Sequence, residues 1–320
     1  MNLSPGRKIL FLGILLIIVI LIGIGQGSVY IPIFELFSQE NHQILYVRVT
    51  RIMLGILAGT GLGVCGVTLQ AILRNPLADP YLLGTSSGAG LGTVVGIILG
   101  ISGAYLPLVA FIGALLSTVL VYNLARQDGK IPIQSLILSG VIVAISFSGL
   151  IIFLVSIFSN EALHGVMWWL LGNLQIYRLR VLLVVGIVVI LGTICIFILS
   201  QDLNAMSIGE EDALHLGIEV ETVKRILLFI TSLITGALVS VTGMIGFVGL
   251  IIPHMMRLIV GPNHKILIPA TCLGGAVFLV LCDTLSRSLL PPIEIPIGVV
   301  TSLVGAPIFI IILKRSQEIK

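Results

Sequence analysis

Apolar residues in this chain run in long blocks separated by short polar links, with neither the alternation of a strand nor the narrow stripe of a soluble helix. A helix needs roughly 20 such residues to cross a hydrocarbon core about 30 Å thick. The blocks predict ten spans: Ile9–Val29, Ile52–Leu73, Leu82–Ile101, Leu106–Leu124, Ser135–Ile157, Val181–Leu199, Ile226–Thr242, Phe247–Met256, Ile266–Leu285 and Ile297–Leu313. The eighth is too short to cross unaided and belongs inside a bundle. Between the fifth and sixth, the segment Glu161–Arg180 carries Trp168-Trp169 and is expected to form an interfacial helix with aromatic anchors. The expected fold is all-α, a polytopic membrane protein forming one transmembrane domain over residues 1–320.

The polar links carry the functional questions. The link within Gln70–Ala89 places Arg74, Asn75, Pro76, Asp79 and Pro80 between the second and third spans. Its unpaired backbone groups cannot face lipid, so it sits at a membrane surface or in a wetted, protein-enclosed cavity.

Composition supports the membrane reading. Hydrophobic residues make up 57% of the chain and charged residues 10%, against about 25% charged in soluble domains; mean hydropathy is +1.19. A net charge of +3 is too small to argue for a nucleic-acid partner. The distribution of charge says more. With a cytoplasmic N-terminus, the inner segments hold Arg7, Lys8, Arg74, Arg126, Lys130, Lys224, Arg225, Arg257, Lys265, Lys314, Arg315 and Lys320. The outer segments hold Arg48, Arg51, Arg178, Arg180 and Arg287. That is the bias of the positive-inside rule, and it puts both termini in the cytoplasm. Arg7-Lys8 before an apolar run resembles a signal peptide, but the run lacks an A-x-A site and is expected to remain as the first span. Cys65, Cys195, Cys272 and Cys282 all lie in apolar runs without metal-ligand spacing, as small buried hydrophobes do.

A weak internal echo accompanies the spans. A shift of 177 positions sets Arg48 on Arg225, Gly59 on Gly236, Val64 on Val241, Gly66 on Gly243, Pro76 on Pro253 and Gly84 on Gly261. The related segments lie five spans apart and would run in opposite directions, giving an inverted repeat with halves near 48–157 and 225–313.

Several motifs admit a bland reading beside a functional one. Gly55/Gly59 and Gly59/Gly63 fit G-x-x-x-G, which permits close helix approach. Gly84-Thr-Ser-Ser-Gly88 matches G-x-S-x-G, but a hydrolase elbow needs a strand-to-helix turn and His and Asp partners. No G-x-x-x-x-G-K-[ST] occurs, so any ATP would be held by a partner. Asp283 is the one acid placed within a span; paired with Arg287 one turn on, it is structural or functional. The segment Gln201–Arg225 contains Gly209-Glu-Glu-Asp-Ala-Leu-His-Leu-Gly217, either a solvated loop or a short helix presented to a cytoplasmic partner. Arg48, Arg51 and Arg287 at outer helix ends are interfacial anchors or forks for a docking protein's carboxylates.

Arg48-Val-Thr-Arg51, Gly66-Val-Thr-Leu-Gln70, Arg74-Asn-Pro-Leu-Ala-Asp-Pro80 and Leu83-Gly-Thr-Ser-Ser-Gly-Ala89, with Gly246-Phe-Val-Gly-Leu-Ile-Ile-Pro-His254, Arg257 and Ile295-Pro-Ile-Gly-Val-Val-Thr-Ser-Leu-Val-Gly-Ala-Pro307, run in order along nearly the whole chain. Together they resemble the permease family of ATP-driven importers for iron–siderophore complexes, haem and vitamin B12, the FecCD-type permeases. The resemblance implies ten helices, a homodimer or a pairing with a paralogue in the cell membrane of a prokaryote, two cytoplasmic ATPase subunits holding ATP and Mg, and a substrate-binding protein docking from outside. It implies no catalytic residue, metal or cofactor in this chain. By position, Arg48, Arg51 and Arg287 correspond to arginines that meet the binding protein. Gly209, Glu210, Glu211, Asp212, Ala213, Leu216 and Gly217 correspond to the coupling helices on the ATPase. Asn75 and Leu77, with Gln134 and Ser135 at the entry to the fifth span, correspond to inner gates. A carrier driven by an ion gradient, a hydrolase using Ser86 and a structural scaffold are the rival readings.

Overall fold

The computed structural model describes residues 4–318 other than 30, 33, 34, 36, 37, 102, 159, 176 and 177, without the side chains of 104, 160–164, 312, 313 and 315–318. The Arg315 side chain and Lys320 of the basic count, and part of the segment 161–180, therefore lie outside the described residues. In chain order the helices are α1 Pro5–Gly25, α2 His42–Ile72, α3 Thr85–Ile98, α4 Leu106–Ala125, α5 Ile133–Ile157, α6 Asn160–Leu170, α7 Leu179–Ile198, α8 Ser200–Ile208, α9 Glu210–His215, α10 Val220–Thr242, α11 Val248–Val260, α12 His264–Ser288 and α13 Ile297–Glu318. Seven are long and apolar enough to span a membrane, and α3, α11 and α13 supply three shorter apolar helices. These ten match the ten predicted spans in order. The other three, α6, α8 and α9, fall in the predicted links.

The bundle is built around α2. Its 31 residues extend about 46 Å at the helical rise, and it packs against α1, α7, α8, α10, α11 and α12. Hydropathy starts this span at Ile52, yet the helix begins ten residues earlier, at His42. The polar first turns persist because Arg48 and Arg51 are bonded within the bundle rather than released to water. Close packing follows from glycine at two crossings. A Cβ on Gly59 would lie 2.1 Å from the Gly275 carbonyl oxygen of α12, and one on Gly66 would lie 1.9 Å from the Gly249 oxygen of α11. Only a residue without a side chain lets these backbones touch.

Pro253 sits inside α11 and has no N–H to offer the carbonyl of Gly249 one turn earlier. Gln70 of α2 stands in: its Nε2 is 3.5 Å from the Gly249 oxygen and 3.2 Å from the Leu250 oxygen. Its Oε1 accepts from Arg257 Nη1 at 3.2 Å.

Two breaks in the helical path meet inside the molecule. The first, between α2 and α3, holds a 3-10 turn at Pro80–Leu83 and ends at Gly84, φ +73°. The third span is therefore shorter than its apolar run. The second lies between α10 and α11, from Gly243 at φ +65° to Phe247 at φ +70°. Tyr81 of the first break hydrogen-bonds Ile245 of the second. The segment Gly84–Gly88 thus opens a helix after a 3-10 turn, not after a strand, and Ser87 Oγ donates to the Gly84 carbonyl at 3.0 Å.

Each half of the chain shows the order long helix, break, short helix, positive-φ glycine, long helix, through α2–α4 and α10–α12. A single shift of 177 does not carry this order throughout. Pro76 lies in a link while Pro253 lies within α11, and Gly84 precedes α3 while Gly261 follows α11.

Candidate functional site

The two ends of α2 carry different chemistry. At its start, Arg48, Arg51 and Arg287 come together with Asp283 and Glu294. Arg51 and Arg48 are one turn apart on α2, Asp283 and Arg287 one turn apart on α12, and Glu294 belongs to the connection between α12 and α13. Arg51 Nε donates to Asp283 Oδ1 at 2.6 Å, and its Nη1 donates to Glu294 Oε2 at 2.8 Å. Arg287 Nε lies 3.0 Å from Asp283 Oδ2, close enough for strong attraction although the N–H is not aligned for a hydrogen bond. Asp283 is fully buried between two guanidinium groups, which offsets the cost of removing its charge from water. Both the pairing with Arg287 and a further pairing with Arg51 are present.

Arg48 differs from its neighbours. Its Nη1 donates to the Ile24 carbonyl and its Nη2 to the Val29 carbonyl, each at 2.7 Å. Among the described residues it has no carboxylate partner. All three arginines are buried, with 3–4% of their surface exposed, yet all three line one cavity of about 310 Å³ together with Gln43 and Glu294. Buried as they are, the three arginines border a partly open cavity that Glu294 also lines.

At the opposite end of α2, Gly209–Gly217, which the sequence left open as a solvated loop or a short helix, forms the short helix α9, preceded by α8 and followed by the first turns of α10. Ala213 is buried, and Lys224 of α10 ties α9 to its own helix. The Lys224 Nζ lies 2.8 Å from Glu210 Oε1 and 3.1 Å from Glu221 Oε1. Glu221 Oε2 in turn accepts from the Ile131 backbone N–H at 3.0 Å. Ile208, Leu214 and Leu216 are left exposed, and Glu210, Glu211 and Asp212 fill the first turn of α9. Beside them a broad groove of about 990 Å³ is lined by Arg74, Lys130, Gln134, Gly209, Glu210, Glu211, Asp212 and Leu214. Gly217 closes the segment at φ +82°.

The residues assigned to gates sit at this same end. Asn75 Oδ1 accepts from the Leu77 N–H at 2.9 Å, an Asx turn that presents the exposed Leu77 side chain. Gln134 lines the groove and Ser135 accepts from Gln127 Nε2 at 3.0 Å. Asp79 Oδ1 accepts from the Tyr81 N–H at 2.8 Å. Burial raises its pKa to about 6, with that hydrogen bond acting in the other direction.

Glu294, Lys224 and Tyr81 were not singled out by the sequence. Glu294 reads there as one more loop acid, though it immediately precedes the Ile295-Pro-Ile-Gly motif on the same connection as the outer end of α12.

Comparison with known proteins decides the family. A sequence model of the FecCD transport family matches residues 15–315. The chain belongs to the FecCD transport family. Bacillus subtilis YvrB, an uncharacterised ABC transporter permease, is 40% identical over 93% of this chain and 91% of its own length. The hemin transport permease HmuU of Yersinia pestis is 33% identical over 97% and 96%. The cobalamin import permease BtuC of Halobacterium salinarum is 40% identical over 86% and 73%. Among solved structures, an inward-facing conformation described as a metal-chelate type ABC transporter superposes with a TM-score of 0.88 at 33% identity, covering 97% of this chain and 99% of that one. As a family member, the chain is a membrane permease of the ABC importer class.

Proposed function

We propose that this permease passes a metal chelate, of the iron–siderophore, haem or cobalamin class, into the cytoplasm, driven by two ATPase subunits that hold ATP and Mg. The observation that carries the reading is the polarity of α2. One end holds a cavity rich in arginine, and the other holds a presented acidic helix with exposed leucines. A binding protein would meet the first through carboxylates, and an ATPase would receive the second in a groove. Relatives named for hemin and cobalamin transport support the chelate class. The excess of basic residues on the α9 side supports a cytoplasmic placement of that end and of both termini. A second copy or a paralogue would complete the pathway, with Asn75 and Leu77 at the inner gate.

In this reading, ATP binding moves paired α9 helices and rocks the bundle, alternating access by rigid-body motion. The test uses vesicles containing the assembled transporter. Replacing Glu210, Glu211 and Asp212 with alanine should abolish vanadate-sensitive uptake while the binding protein still docks. Undiminished uptake would remove α9 from the coupling role. Reversing Arg48 and Arg287 to glutamate should weaken docking in a salt-sensitive manner. Unchanged affinity at low salt would remove the docking role.

A further inference from the structure

The arginine cavity holds three cations and two carboxylates, and the two carboxylates are not equivalent. Asp283 is fully buried on α12 and engages Arg51 and Arg287 together. Glu294 is on a non-helical connection, its side chain is 31% exposed, and among the described cations it engages Arg51 alone. A hydrogen bond from Gln175 Nε2, at 3.0 Å, steadies it from the other side. Asp283 is thus part of the framework, whereas Glu294 can leave without unpacking a helix.

The location of this pair adds a second observation. Arg51 and Glu294 line the 310 Å³ cavity with Arg48 and Arg287. The same two residues also line a neighbouring cavity of about 450 Å³ with Trp168, Gly172 and Asn173. Their contact is the partition between the two spaces. Arg48, facing the first space, has only carbonyl oxygens as partners among the described residues, so the cavity retains one uncompensated positive charge.

We propose that Glu294 is a built-in competitor for Arg51, released when a carboxylate of the docking protein enters the Arg48 cavity, so that docking opens the partition toward the adjoining space. This rests on the docking reading above. An incoming carboxylate is drawn by the uncompensated Arg48 and meets Glu294 as a like charge across Arg51. Repulsion weakens the Arg51–Glu294 contact, while the backbone of the connection stays tied to Ser286 through Ile295 and Arg51 retains Asp283.

The experiment measures affinity of the substrate-binding protein of the same transport system for the full transporter in nanodiscs, at low and high salt. Glu294→Gln keeps the shape and removes the competing charge. It should tighten docking by about fivefold at low salt, the upper range for a partly exposed pair, with a smaller gain at high salt. Glu294→Asp, which keeps the charge, should stay near the parent affinity, and Glu294→Ala should follow Glu294→Gln if either variant folds poorly. Equal or weaker docking by both neutral variants overturns the competitor role. Arg48→Glu separates the two readings. If it weakens docking while the neutral Glu294 variants change nothing, only the competitor role fails. If it too changes nothing, the docking site itself is wrong.

Discussion

The phenol oxygen of Tyr81 lies 3.0 Å from the carbonyl oxygen of Ile245 and 3.1 Å from the Ile245 backbone nitrogen, so one hydroxyl serves both polar groups of a buried residue. Tyr81 comes from the break after α2 and Ile245 from the break after α10. The hydroxyl ties the two irregular segments at a point where the helices do not supply the Ile245 backbone with a partner. Tyr81→Phe leaves both groups of Ile245 without that partner. Unfolding in detergent should show a loss of about 1–3 kcal/mol, and an unchanged midpoint would mean that water or another group replaces the hydroxyl.

Asp283 is the anchor of the arginine cluster. Removing it leaves Arg51 and Arg287 close together in a buried space with only Glu294 for charge. Asp283→Ala should cost about 3–5 kcal/mol, with Asp283→Asn in between. Thermal melts of the purified protein decide it, and a variant as stable as the parent would show that the pairing contributes nothing net.

Gly66→Ala tests the packing of α2 on α11. The added methyl would meet the Gly249 oxygen at 1.9 Å, so the helices must separate at an expected cost of about 1–3 kcal/mol. Gly13→Ala, with nothing within 4 Å of the new Cβ, is the control and should be silent. Equal stability of the two variants would contradict the close crossing.

Lys224 joins α9 to α10. Lys224→Met frees Glu210 and Glu221, which are partly exposed and can regain water. The expected result is faster limited proteolysis near Gly209 with little change in the global melting midpoint. Cleavage at the parent rate would show that Ala213 packing alone holds α9.

Asp79 gives a pH dependence. Its folded pKa is raised to about 6 from an ordinary value near 3.8. The group therefore favours the folded state fully below pH 3.8, and that contribution is lost as the pH rises through about 6. Asp79→Asn keeps an acceptor for the Tyr81 N–H and removes the ionisation. Its stability relative to the parent should rise between pH 4 and pH 7, and a flat difference over that window would show that Asp79 ionises freely.

The sequence by itself determined the class of fold, the number and order of apolar helices, and the residues that mark the family. Hydropathy is a local property, so a run such as Val181–Leu199 declares its helix without reference to any neighbour. Ends were less legible. The start of α2 at His42 depends on carboxylates and carbonyls more than two hundred positions away in part, namely Asp283 and Glu294. The start of the third span was set by the 3-10 turn Pro80–Leu83, whose Tyr81 hydroxyl reaches Ile245.

Only the tertiary structure decided which charges compensate one another. From sequence, Arg287 already has Asp283 one turn away, Arg48 and Arg51 are outer cations without an assigned partner, and Glu294 is a loop acid. Among the described residues, folding gives Arg51 two carboxylates, Arg287 one and Arg48 backbone carbonyls, because Coulombic pairing depends on distances of a few ångströms between segments that the chain order keeps far apart.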